Sequence, residues 1–236
     1  IEGGLVNDWS EWEKSEKRVA ELKKRNLDPF DFISDRATNS YLDNNADIAC
    51  MKEMGLSAYR FSVDWSRIEP REGEFNAEAL EYYLGLVKKL RANRIEPLVT
   101  LWHWPLPLWL RDKGGWQSKE SIGYFEKFVK KTVGVLSSEV NFWITLNEPM
   151  VYGTMSYLTG EWPPQRKNPF AYLQVIKNLI SAHRVAYDAI KSIDADDAEN
   201  SIITPHSKEL EYFLINSAIN KAAITRINNE KNIVKK

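Results

Sequence analysis

The chain is nearly devoid of cysteine, has no long apolar run and carries no surplus of charge, and each shortage closes off a class of protein. Cys50 is the only cysteine in 236 residues, so no intramolecular disulfide can form and a structural zinc site is disfavoured. A reducing, cytoplasmic setting is the expectation. No apolar stretch approaches the roughly 20 residues that span a bilayer, because charge or proline breaks each one. The 32 basic and 33 acidic side chains almost cancel, which leaves no net field to hold a nucleic-acid backbone or an anionic membrane. A neutral small molecule suits that balance better. No His or acid cluster has metal-ligand spacing, and no Gly-rich phosphate turn such as GxGxxG follows a strand. Neither a metal nor a cofactor is expected.

What is present is a regular alternation of amphipathic and near-continuous apolar segments. Residues 44 to 54 place Ile48, Met51 and Met54 at helical spacing and stop at Gly55, ahead of the strand 56 to 63, LSAYRFSV. Asn76 precedes a helix over 77 to 92 whose apolar face holds Leu80, Tyr83, Leu84, Val87 and Leu90, and the strand 95 to 102, IEPLVTLW, comes next. Ser118 opens a helix over 119 to 136, which leads into the strand 140 to 146, VNFWITL. A longer helix over 169 to 193 begins with Asn168 as cap and Pro169 at its first position, where a missing N–H costs nothing. A fourth strand is expected at 201 to 204 and a helix over 208 to 231. The charged run 11 to 25 reads as a solvated surface helix.

Buried strands alternating with helices indicate a parallel sheet covered on its outside, in a barrel or a doubly wound arrangement. The absence of a phosphate turn disfavours the doubly wound option. The unusual residues collect at the C-terminal strand ends, Arg60 and Trp65, then His103 and Trp104, then Asn147 and Glu148, which is where barrel enzymes keep their sites.

Glu148, in TLNEP just past a buried strand, is the candidate proton donor, since desolvation at a rigid strand end would raise its pKa as a general acid requires. A helix-start Glu helped by the helix dipole is the structural alternative. Trp102, His103, Trp104, Trp109, Trp116 and Trp162 lie at or near the same rim. Indoles that pack on C–H faces, beside His and Asn for hydroxyls, are the chemistry of a sugar pocket. Trp109 and Trp143 read as core. If side chains alternate, Arg60 shares a strand face with Ala58 and Ser62, while Tyr59, Phe61 and Val63 face the helices. A guanidinium there needs an anion, either a catalytic carboxylate or a structural partner such as Asp64 or Glu69. His183 reads as a satisfied core histidine, and His206 has no context.

These segments resemble the family 1 glycoside hydrolases, the β-glucosidase family of (β/α)8 barrels. The resemblance runs through IEGG (1 to 4), NDWSEWE (7 to 13), KEMGLSAYRFSVDWSRIEPREG (52 to 73), TLWHWPLPLWL (100 to 110), GGW (114 to 116), TLNEP (145 to 149) and AHR (182 to 184), in order and spacing. It implies an α/β fold, a partial (β/α)8 TIM barrel of roughly the first four to five βα units, in one incomplete domain over 1 to 236. Residues 1 to 193 are family-like and 194 to 236 diverge, as a truncated or frameshifted product or a deliberate half-barrel would. The resemblance further implies Glu148 as acid/base, Asn147 on the sugar's 2-hydroxyl, His103 and Trp104 in the glycone pocket, and Arg60 beside the nucleophile. The family's CDHY segment reads TNSY (38 to 41) here, and Pro105 stands where an Asp usually follows HW.

The nucleophile itself is absent from this sequence: no TENG-like strand occurs, and Glu199, Glu209, Glu211 and Glu230 sit in no comparable apolar segment. A retaining glycosidase needs two carboxyls about 5 to 5.5 Å apart, so weak or no hydrolysis is expected from this chain. The expected partner is a small β-glycoside or oligosaccharide, with no nucleic acid and no membrane. Two open sheet edges favour a homo-oligomer. The alternatives are a non-catalytic carbohydrate-binding or self-associating half-barrel, and an unrelated barrel enzyme pairing Glu148 with Asp64 or Asp112.

Overall fold

The computed structural model describes residues 2–193 and, for its backbone alone, residues 202–206. Four strands form one parallel sheet in the order β1 (Ala58–Ser62), β2 (Glu96–Trp102), β3 (Phe142–Asn147) and β4 (Ile202–His206). Consecutive strands are neighbours, the arrangement of a barrel wall rather than a doubly wound sheet, which would reverse direction. Register is set with Ser62 opposite Thr100 and Trp102 opposite Leu146. The β3–β4 ladder is irregular between Ile144 and Asn147.

Three helices cover the outer face: α3 (Ser40–Glu53), α5 (Ala77–Ala92) and α7 (Glu120–Leu136), each entering the next strand, and α9 (Pro169–Ile193) precedes β4. The starts of α5 and α9 follow from side-chain chemistry. Asn76 accepts from the Ala79 N–H at 3.2 Å, and the Asn168 side chain accepts from Phe170 and Ala171. The expected helix at 44 to 54 begins four residues sooner, after Asn39 in a left-handed conformation. The charged run expected to form one helix divides into α1 (Asp8–Glu13) and α2 (Glu16–Lys24), because Ser15 caps a new start by accepting from Arg18 N. The helix expected at 208 to 231 lies outside the described residues, as do the side chains of β4.

The core lies between the sheet's outer face and these helices. Trp65, Trp102, Trp116, Trp143, Phe125 and Phe128 are all essentially without solvent exposure there, with Trp65 stacked on Phe128 at 4.8 Å. Burying six large rings at roughly 25 cal/mol per Å2 of apolar area makes this cluster the main stabilising element. Tyr59 and Phe61 pack instead on a second cluster of Ile48, Met51, Leu86, Leu90 and Ile95.

Four short helices, α4 (Trp65–Ile68), α6 (Leu108–Asp112), α8 (Pro149–Gly153) and α1, crowd the C-terminal ends of the strands together with the segment 2–6. Gly3 fits there because it has no side chain: with φ +78°, a Cβ would sit 2.1 Å from the Arg36 carbonyl oxygen. No helix of the described residues is long and apolar enough to cross a membrane.

Candidate active site

Three successive strand ends supply the candidate side chains, and their pleat aims them inward. On β1, Tyr59 and Phe61 turn to the helices, so the intervening Arg60 and the following Ser62 take the opposite face. Arg60 Nε donates to Thr100 Oγ1 of β2 at 3.0 Å, and its Nη2 donates to Asn147 Oδ1 of β3. Ser62 Oγ and His103 Nδ1 share a hydrogen bond of 2.9 Å. One guanidinium therefore ties three strands together across the sheet's inner face.

After β2 the chain turns sharply. Trp104 has φ +87°, a conformation sparsely populated by bulky residues, and its ring stands edge-on to His103 at 5.0 Å. Trp104 Nε1 donates to the Asn147 carbonyl at 3.0 Å, so Asn147 is held from both sides, by its side chain and its backbone. Asn147 is 2% exposed. Glu148 follows with φ +42°, half-buried. Pro149 then starts α8 with Glu148 at its N-cap position, where the carboxylate makes no capping hydrogen bond. Burial pushes the Arg60 pKa down, and the negative field of Glu148 pushes it back up.

The structural ion pairs considered for Arg60 do not form. Asp64 caps α4 through Arg67 N and Ser66, and Glu69 accepts from Trp65 Nε1 and Gly73 N. Asp112 is bonded to Arg111 on the surface, far from the role of partner to Glu148. Trp102 and Trp116 are buried in the core, and Trp102 also contributes to the lining of the cavity beside His103. Trp143 is core, as expected, and Trp109 packs against it with its Nε1 on the Glu69 carbonyl. His183 shares a 2.8 Å hydrogen bond with Thr145 Oγ1, and burial lowers its pKa. It is the satisfied core histidine that the helix pattern implies.

Two of the indoles named from the sequence, Trp104 and Trp162, do group together, and Trp9 joins them. Trp9 of α1 stacks on Trp104 with centroids 6.0 Å apart and planes within 17°, and Trp162 lies 4.5 Å from Trp104. Trp9 went unassigned in the sequence, although its spacing within NDWSEWE marks it as unusual for a solvated helix. Two buried acids were missed as well. Glu2 accepts from Tyr83 and Arg67, and burial raises its pKa to about 7. Asp8 accepts from Leu106 N at 2.7 Å, and burial raises it to about 7 too. Thr100, polar within an apolar strand, was the legible signal for the Arg60 partner. A cavity of about 580 Å3 opens along the free side of β1, lined by Arg60, His103, Trp104, Asp64 and the second apolar cluster. Asn147 and Glu148 lie outside its lining.

Consecutive parallel strands with helices outside and polar groups converging on the strand ends define part of a glycosidase-type barrel. The chain belongs to glycosyl hydrolase family 1, whose profile matches residues 2–228. It is 36% identical over 163 residues to beta-glucosidase A of Acetivibrio thermocellus, covering 69% of this chain and 36% of that protein. It is 38% identical over 156 residues to human lactase/phlorizin hydrolase, covering 65% of this chain and 8% of that one. Among solved structures, the beta-glucosidase from Thermotoga maritima in complex with deoxynojirimycin superposes with a TM-score of 0.76 at 28% identity, covering 86% of this chain and 45% of that one. The beta-glycosidase from Pyrococcus horikoshii gives 0.73 at 35%, covering 87% and 44%. The chain thus spans less than half the length of these relatives.

Proposed function

We propose that this chain carries the proton-donating half of a retaining β-glycosidase site and binds terminal β-glycosides without turning them over efficiently on its own. The observation that carries this reading is the convergence on Asn147: Arg60 on its side chain, Trp104 on its carbonyl, Glu148 next in sequence. In the proposed chemistry a carboxylate from the rest of the barrel bonds to C1 as the C1–O bond of the glycoside breaks and the Glu148 proton passes to the leaving oxygen, and water later hydrolyses the glycosyl ester. Asn147 meets the sugar's 2-hydroxyl, and His103 and Trp104 hold the glycone. Arg60 sits where a second carboxylate would attack C1, and no TENG-like segment supplies one in this sequence.

Without that carboxylate Glu148 lacks the chemical partner that a retaining reaction requires. The test is hydrolysis of an aryl β-glucoside alongside calorimetric binding of a glucose-like iminosugar. Binding with negligible turnover is expected; efficient turnover, abolished by Glu148→Gln, would overturn the missing-nucleophile reading. Binding that survives Glu148→Gln with no turnover in either protein is also what a carbohydrate-binding half-barrel would give. Restoring the remaining strands from a relative separates the two, since only a catalytic half gains activity.

The side of β1 that is unpaired among the described residues favours pairing with another copy of the chain. A cytoplasmic location fits the single cysteine and the human relative named cytosolic beta-glucosidase.

A further inference from the structure

Asp8 is a buried carboxylate, 4% exposed, with no salt bridge among the described residues. Such a group is costly to bury, and an apolar side chain would serve mere packing better. Its hydrogen bonds suggest what it does. Leu106 N donates to Asp8 Oδ1 at 2.7 Å, and Asp8 N donates to the Leu106 carbonyl at 3.1 Å. The two bonds close a ring around the loop that follows His103 and Trp104. The next residue, Trp9, stacks on Trp104 itself, the residue with φ +87°. The first turn of α1 therefore grips this loop at both of its ends.

We infer that Asp8 and Trp9 are positioning residues for the sugar-facing rim, a two-point clamp that keeps Trp104 in its left-handed conformation with its indole on Asn147. Released from the clamp, Trp104 relaxes toward negative φ, its N–H leaves the Asn147 carbonyl, and both the glycone wall and the residue preceding Glu148 shift. The inference rests on the reading of His103 and Trp104 as sugar-binding. Asp8 touches no substrate; it acts through Leu106 and Trp104.

The test uses the whole chain with Asp8→Ala, Asp8→Asn and Trp9→Ala, read by iminosugar calorimetry and by near-ultraviolet circular dichroism of the Trp9–Trp104–Trp162 group. Asp8→Ala is expected to weaken binding about tenfold, the scale of one lost hydrogen bond, and to flatten the dichroic signal. Asp8→Asn keeps an acceptor for Leu106 N and recovers most of both. An Asp8→Ala protein that melts earlier yet keeps parental affinity and dichroism overturns the inference. If Asp8→Ala does not fold, Trp9→Ala decides: lost affinity in a folded protein supports the clamp, and unchanged affinity refutes it. If the parent binds no sugar, the functional reading fails by itself, while the dichroism of Asp8→Ala against Asp8→Asn still decides whether the clamp exists.

Discussion

The Arg60 guanidinium of β1 hydrogen-bonds the Asn147 side chain of β3 across the intervening strand, so a residue read as the nucleophile's neighbour is also a brace between strands. Both partners are removed from solvent to a degree that makes the bond consequential: Asn147 is 2% exposed, and desolvation dominates the Arg60 environment. Removing one partner leaves the other unsatisfied, which is costlier than the bond itself.

Asn147→Ala should therefore destabilise the chain by about 1 to 3 kcal/mol, measured as a lower urea midpoint with an unchanged slope. Thr100→Val, which takes the other Arg60 acceptor, should act in the same direction and combine non-additively with it. Simple addition of the two losses would mean that Arg60 does not link them.

Glu148 stands at φ +42°, where a side chain with a Cβ is disfavoured and glycine is not. Glu148→Gly should raise the melting temperature, by about 1 kcal/mol of stability, while removing the only proton donor proposed here. An unchanged or lowered melting temperature would mean that the conformation carries no strain worth relieving.

Stability should fall as pH rises from acid to neutral in a way traceable to Asp8 and Glu2. Burial raises both to about 7 in the folded chain, from ordinary values of 3.8 and 4.5. Below about pH 4 both are protonated whether the chain is folded or not, and their neutral forms are buried at no ionic cost. Between pH 4 and 7 the unfolded chain releases protons that the folded chain retains, so the folded state loses ground until both forms are ionised. Urea unfolding at pH 5 and pH 8 checks this: Asp8→Asn should show a smaller decline than the parent. An identical decline in the two proteins would remove Asp8 from the account.

The βα order was legible because strands and helices differ in period and each helix carries its own start signal. The helix over 77 to 92 and the one over 169 to 193 have the bounds that Asn76 and Asn168 imply. The strand ends were legible for the same reason: a barrel places the residues that close each apolar run at its mouth, and His103, Trp104, Asn147 and Glu148 stand there. Arg60 lies within β1 and joins them through its hydrogen bond to Asn147. What escaped was whatever depends on contacts distant in sequence. Trp102 and Trp116 looked like pocket aromatics beside His103, but only packing against Phe125 and Tyr152 reveals them as core. Asp8 and Trp9 were given no role of their own within NDWSEWE, since nothing local announces that Leu106 and Trp104, almost a hundred residues on, will pack against them.

Along β1, only one side is paired among the described residues, and Ala58 at its start is exposed. Beside that unpaired side lies the cavity walled by Ile48, Met51, Tyr59 and Phe61, an apolar surface next to free backbone N–H and C=O groups. Unpaired parallel strands with such a surface recruit another strand unless a charge blocks them. Light scattering of the chain should give a mass that rises with concentration above that of a monomer. Ala58→Lys places a cation at the exposed start of this edge and should return the mass toward the monomer. A parent chain that stays monomeric at every concentration tested would show that this side of β1 is already protected, and the proposal of pairing between copies would then fail.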